Sequence, residues 1–507
     1  GLIPGGVSVL DDTDSDIQVP NDINSFLWGQ YVVPTEGGVW QKSNWQNIRN
    51  INYFMTHYQS VQAAEADVNI YVAEMRFFRA LEYFNKIQLL GDVPWLEVDL
   101  NVDSEELYGP KMKRNQVFQK IIEDLDFAIQ WLPEAGSEEA NRLNKDIARH
   151  VKARFCLNEG THYKYHDELE YASEAEKWLQ MAATESDKLI TSGRYEIYNT
   201  GHPQEDYFNM YRIDDKSDLK EAVLYVDYKT NIREHNMAAA GREAGCGFSK
   251  SFVESFLCSD GLPISLSNKY LGDETMRKET ANRDPRLKQL ILTNDFPTNV
   301  TDDLKDSTFV VNEDEFITQH CFTGYRPIKG FNPIYSQALY MKSSFDGIAY
   351  RYAETLLINA EAKAELNTIT NADLDRTVNQ LRDRVGMPHL TVNVGFTDPK
   401  WPDWGYSLSP VLQEIRRERC IELAGEGFRF NDLKRWKAGK LLNNVLTYVG
   451  KRKPDGNLAI VYPNYTNPDL SYQAGKSRTW EDKMYLYPIP TGELQRNPQL
   501  LPQNPGW

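Results

Sequence analysis

The sequence predicts a mainly α-helical protein interrupted by one large irregular segment. Three observations point there. Apolar residues recur three and four apart through most of the first ~190 residues and again from about 350. Between about 195 and 345 Gly, Asn, Asp and Thr accumulate and that period is lost. The stretch VLQEIRRERCIELAGEGFRFNDLKRWK, residues 411–437, reads as two helices around a glycine-containing corner.

In chain order, residues 1–20 are Gly-, Asp- and Pro-rich and read as extended. Asp12, Asp14 and Asp16 alternate like the start of a calcium loop, but position six is Ile17 and position twelve is Ile23. A calcium loop needs Gly and Glu there, so a solvated acidic tether is the expectation. Residues 21–45 place Trp28, Tyr31, Trp40 and Trp45 in polar, Gly-containing sequence, and a helix follows through IRNINYFM. A long helix covers about 66–90, with Ala73, Phe77, Ala80, Leu81 and Phe84 on one face, ended by Gly91 and Pro94. Further helices are expected at about 114–132, 144–159 and 172–191. Successive helices with Ala- and aromatic-rich faces are the pattern of helical repeats. EAVLYVDY, 221–228, is strand-like, and helical texture returns at 350–385 and 410–446 before a Pro-rich tail. The chain thus divides into a helical part, 21–195, an irregular insertion, 196–349, and a second helical part with an extended tail, 350–507.

The corner is dense in charge. Arg416, Arg417, Glu418, Arg419 and Glu422 crowd its first helix, and Arg419 and Glu422 stand at i, i+3, within pairing reach. Arg429, Asp432 and Arg435 share a face of the second, opposite Phe430, Leu433 and Trp436. Such density suits either an anion site or an ion-pair network that locks helices together. The network is favoured, because every arginine has a carboxylate within helical reach.

Composition excludes several classes. The net charge of −17 argues against nucleic acid, which needs clustered Lys and Arg. No apolar run approaches the ~18 residues of a membrane span. Five cysteines without CxxC spacing argue against a disulfide framework or a zinc site. Cys156 and Cys420 fall in helical patterns and read as buried apolar residues. His162 and His166, at i, i+4, have zinc-ligand spacing but no HExxH glutamate and no evident third ligand. There is no nucleophile elbow, P-loop or dinucleotide fingerprint, and no cofactor is expected. A glycosidase pair cannot be picked out among 73 acidic residues.

RRERCIELAGEGFRFNDLKRW resembles the C-terminal signature of the SusD/RagB family of cell-surface glycan-binding lipoproteins. IRNINYFM, AEMRFFRALEYFNKIQLLGDVPW, NRDPRL, RYAETLLINAEAKAELN, LRDRVGMP and LYPIPTGELQRNPQLLPQNPGW match it in order, so the resemblance spans nearly the whole chain. It implies a TPR-like helical scaffold with the insertion mounted on it. It also implies a non-catalytic protein of the Gram-negative outer membrane, lipid-anchored at the cell surface. Such a protein binds oligosaccharide or polysaccharide and delivers it to a SusC-like TonB-dependent transporter. The chain begins at Gly1 without initiator methionine or signal peptide, as a mature or trimmed protein would, and the lipidated cysteine is inferred rather than present. The alternatives are a glycoside hydrolase or lyase on a helical scaffold, and a peptide-binding importer subunit.

Sugar recognition needs aromatic faces for CH groups and a few polar groups for hydroxyls. Aromatics in polar loops are therefore the candidates: Trp28, Tyr31 and Trp40 near the first helices, and Tyr325, Phe331 and Tyr335 in the insertion. The resemblance puts the glycan site in the same two regions. Trp45, Trp178 and Trp436 read as helix-face packing.

Overall fold

The structure is a computed structural model that describes residues 11–20, 24–137, 141–243, 245–460 and 478–507. Five helices build the first part: α1 (Gln46–His57), α2 (Glu65–Leu90), α3 (Arg114–Trp131), α4 (Lys145–Tyr165) and α5 (Ala175–Thr191). α2 buries Ala73, Phe77, Ala80, Phe84 and Ile87, the stripe its period predicts. It stops at Gly91, whose φ of 73° lets its N–H bond back to Ile87. α2 and α3 are joined by Arg79, which donates two bonds of 2.7 Å to Asp124. α3 and α4 are joined the same way by Arg114 and Glu159, at 2.9 and 2.6 Å. Phe84 stacks on Phe155 across α2 and α4, with centroids 3.6 Å apart.

α4 runs through Gly160 to Tyr165, beyond the expected end at 159. Gly160 is there for contact with α5. A Cβ at that position would stand 2.9 Å from Leu179 Cγ and 3.0 Å from its backbone nitrogen. Interior glycine costs a helix roughly 1 kcal/mol, and here the close approach of two helices offsets it.

The helix Tyr352–Glu365 completes this core. Its Asn359 donates to Ala183 O and Ser186 Oγ of α5, at 3.0 and 3.1 Å. Its Glu354 receives Arg154 and sits 2.9 Å from His150 of α4. The insertion leaves and re-enters through one antiparallel pair, Ala222–Val226 with Gly347–Arg351, in the register Ala222↔Arg351. Among the described residues, three further two-stranded sheets pair Gln18–Pro20 with Cys246–Phe248, Pro297–Val300 with Ser307–Phe309, and Val449–Arg452 with Leu458–Ile460. The insertion has an apolar core of its own, with Phe248, Phe252, Phe256, Leu287, Tyr325 and Phe331 buried in it. A third cluster gathers Phe26, Trp28, Trp404, Trp436 and Trp480.

The charged corner is a buried ion-pair network. Its helices are Pro410–Glu422 and Arg429–Arg435. Glu422 is fully buried and takes three arginines: Arg384 at 2.6 Å, Arg351 at 2.7 Å and Arg286 at 3.0 Å. Burial alone would raise its pKa, but those guanidiniums hold it well below the ordinary carboxylate range. Arg351 also reaches Glu221 and Glu426, each at 2.7 Å.

Two expectations are corrected here. Arg419 pairs with Asp432 at 2.8 Å rather than with Glu422, because the second helix folds back over the first and brings a closer carboxylate. The N-terminal acidic run is no solvated tether. Asp16 is 8% exposed and receives Arg429 through two bonds of 2.7 and 2.8 Å. Asp12 is 1% exposed and accepts the backbone N–H groups of Gly425 and Arg429. Burial pushes Asp12 up to about 7 despite those two bonds.

The five thiols are free; Cys156 is buried and Cys420 half-buried. Among the described residues, no helix is long and apolar enough to cross a membrane.

Candidate functional site

The loop 31–40 is held from two sides. Below it, the short helix Thr491–Arg496 donates Thr491 N to Pro34 O at 3.0 Å and Gly492 N to Thr35 O at 2.9 Å. Arg496 pairs with Glu36. Gly37 and Gly38 then take φ of 83° and 56°, a left-handed pair that turns the chain back on itself. Trp40 lands half-buried on the helical core, its ring 5.2 Å from Trp45 at 60°. Lys86 lies over Trp45, 4.9 Å from its centroid, where burial pulls the lysine pKa down. Trp40 is thus supported from beneath and keeps an open part of its ring.

Tyr31 is half-buried and meets Phe26, Trp507 and Tyr487 edge-on at 5.3, 5.7 and 5.9 Å. Its hydroxyl lies beside Gly38. Trp28 is 7% exposed and packs against Tyr448 in the third apolar cluster.

The three insertion candidates part company. Tyr325 is fully buried, and its hydroxyl donates to Glu279 at 2.8 Å. Lys250 completes that buried group, 2.6 Å from Glu279. Phe331 is 1% exposed and lies under Arg326. The sequence texture marks this region as loop, but it folds around its own core and takes both rings into it. Trp28, Tyr325 and Phe331 therefore offer no open face. Tyr335 is 49% exposed, anchored by its N–H to Val300 O. Beside it in the chain, Tyr340 is 77% exposed, a residue the sequence reading passed over. The run Leu339-Tyr340-Met341, apolar within irregular sequence, carried that signal. Also unforeseen is an aromatic face at the end of α1, where Tyr53 lies tilted against His57 at 4.4 Å and Phe54 stacks on Tyr58 at 5.7 Å.

A cavity of about 470 Å³ opens between α2, α4 and the charged corner, lined by Asn85, Gln88, Asn158, Asn431 and Phe428. Its carboxylates are already committed. Glu354 is held by Arg154 and bonded to His150, and Asp432 is held by Arg419 and Arg435; burial would raise both, and these partners keep both low. A glycosidase acid needs the opposite, a carboxyl whose pKa is raised. A second cavity, of about 610 Å³, lies at the loop 398–405. His162 and His166 face each other inside the protein at 4.0 Å. Both nitrogens of His166 are engaged, by Lys434 O at 2.8 Å and Glu168 at 2.9 Å. Among the described residues, no group of three His, Cys, Asp or Glu is arranged to hold a metal.

With this geometry in hand, the likeness to known proteins is clear. A model of the SusD family matches residues 190–507. The SusD-like protein P2 of Formosa agariphila is 25% identical over 456 residues, covering 87% of this chain and 75% of that protein. A SusD-like protein from Bacteroides fragilis superposes with a TM-score of 0.74 at 24% identity, over 98% of this chain and 93% of the other. A second Bacteroides fragilis structure, described as a SusD-like carbohydrate binding protein, gives a TM-score of 0.70 at 20% identity, over 97% and 93%.

Proposed function

This chain belongs to the SusD family, its helices forming the family's TPR-like scaffold, and from that premise we propose that it is a glycan-binding protein of the bacterial surface. It holds oligosaccharides and passes them to a TonB-dependent transporter of the outer membrane, anchored beside it by an N-terminal lipid. It does no chemistry on them. A relative of the same fold is described as carbohydrate binding, which supports the ligand class.

The observation that carries the reading is Trp40. An indole is the largest stacking face a protein offers to a sugar ring, and this one is buttressed by Trp45 and placed by the turn at Gly37 and Gly38. Rigid support lowers the entropy cost of binding. Tyr31, next to the same turn, and the exposed Tyr335 are the accompanying candidates.

The test is calorimetry of wild type and Trp40→Ala against a panel of neutral hexasaccharides. Loss of a central aromatic anchor is expected to weaken binding by about thirtyfold or more, with little change in melting temperature. Wild-type affinity in Trp40→Ala would transfer the assignment to Tyr335. Steady release of reducing ends from polysaccharide would instead make the protein an enzyme. Binding of peptides but no glycan would make it a peptide importer subunit.

A further inference from the structure

We propose that the 610 Å³ cavity at the loop 398–405 is a second saccharide site, separate from Trp40 and selective for neutral sugars. The inference rests on the glycan-binding reading of the chain. The cavity's size falls within the ~300–1,000 Å³ of small-ligand sites.

Its wall is built before any ligand arrives. Asp398 accepts Arg417 Nη2 at 2.6 Å, and its backbone oxygen accepts Trp401 N at 3.2 Å. Trp401 Nε1 donates to Glu414 and Trp404 Nε1 to Gln413, each at 2.7 Å. Both indole N–H groups are therefore spent inside the protein. What Trp401, half-buried and tilted against Phe396 at 6.1 Å, has left for a ligand is the rest of its ring, held at a fixed angle. A ring with its N–H already satisfied suits a CH face better than a hydroxyl.

The polar groups lining the cavity are of a matching kind. Gln413 uses its oxygen on Trp404, and its NH₂ has no partner among the described residues. Asn444 uses its oxygen on Leu446 N, and its NH₂ is likewise unspent. Lys440 at the same opening has no ion-pair partner among the described residues, while Lys400 and Lys437 are matched by Glu254 and by Asp167 with Glu168. Asp403 gives one oxygen to Gly405 N and keeps the other. Unspent donors and acceptors of both signs around one flat apolar face meet the alternating hydroxyls and CH faces of an uncharged pyranose. A purely apolar ligand would leave these groups unpaired, and an anionic one that met Lys440 would also face Asp403.

The experiment uses the whole chain and four probes: maltohexaose, laminarihexaose, xylohexaose and mannohexaose. Stoichiometry is read by calorimetry, and position by crystals soaked in whichever probe binds. Two sites are expected in wild type. Trp401→Ala should remove one of them, weakening it about thirtyfold or more, and Trp40→Ala the other. Because Trp401 also bonds Glu414, a second variant, Asn444→Trp, blocks the opening from an exposed position and should remove the same site. A single site, lost in Trp40→Ala and intact in both cavity variants, overturns the second site alone. No binding of any probe by wild type overturns it together with the proposed function. Tighter binding of glucuronate-containing oligosaccharides at Trp401 than of the neutral probes overturns the selectivity.

Discussion

Replacing Glu422 by Gln keeps the shape of the side chain and removes one charge from the centre of the network. Three guanidiniums, from Arg286, Arg351 and Arg384, lie within 3.0 Å of that carboxylate, and none of the four side chains is more than 2% exposed. Arg351 retains Glu221 and Glu426, and Arg286 retains Asp284 and Glu418. Among the described residues, Arg384 has Glu221 alone, at 3.5 Å, to fall back on. Breaking a buried pair typically costs about 3–5 kcal/mol, because the surviving charge stays out of water; about 4 kcal/mol is expected here. The unfolding entropy of 507 residues at ~2.1 cal/mol/K each is about 1.1 kcal/mol/K, so the melting temperature should fall by about 3–5 °C. The pH dependence gives an independent check. The folded pKa of Glu422 lies below its unfolded value, so its contribution is complete above the unfolded pKa of ~4.3 and fades as pH falls below it. The gap between wild type and Glu422→Gln should therefore be constant from pH 8 to 5 and narrow in more acid buffer. Scanning calorimetry at pH 7, 5 and 3.5 measures it. An unchanged melting temperature at pH 7, or a gap that widens in acid, would refute the reasoning.

Arg419→Ala should cost roughly 3–5 kcal/mol, since Asp432 loses its 2.8 Å partner, while glycan affinity of the folded fraction holds; calorimetry of the two properties separates them. Lys434 is buried, and burial, with Arg114 nearby, brings its pKa down to about 7. Between that value and the unfolded ~10.4 the unfolded chain holds a proton the folded one lacks, so stability rises with pH, by up to ~1.4 kcal/mol per unit. Lys434→Met should flatten that slope in denaturant titrations from pH 7 to 10, and an unaltered slope would count against it. Gly160→Val should destabilise by roughly 1–3 kcal/mol, because the new side chain meets Leu179 at the α4–α5 contact; equal denaturation midpoints would disprove it.

The helices were legible because their signal is local. The stripe on α2 predicted a helix over 66–90, and the structure has Glu65–Leu90. What depends on distant partners was not. Gly160 reads as a stop until Leu179 is placed against it. The arginines of the corner announced carboxylate partners, but helical spacing offered Glu422 to Arg419, and tertiary folding supplied Asp432. Asp16 looked solvated because its partner, Arg429, lies 413 residues away. The same limit governs the site. Trp40 is a candidate on a local feature, the glycines that precede it, and the structure leaves its ring half-buried. Tyr325 and Phe331 looked exposed because loop texture says nothing of whether an insertion closes on a core of its own. Trp401 escaped notice because its setting comes from Glu414, on the following helix.

The stitching of residues 11–20 into the corner has a mechanical consequence. Any pull on the chain upstream of Asp11 is received by Asp12 and Asp16, and by the strand Gln18–Pro20 clipped to Cys246–Phe248. Arg478 adds a further bond, to Ser15 O at 2.7 Å. Tension therefore enters the most heavily cross-braced part of the molecule and is shared among several bonds there, while the loop bearing Trp40 stands outside that load path. A chain tugged at this end takes the load at the corner, away from that loop.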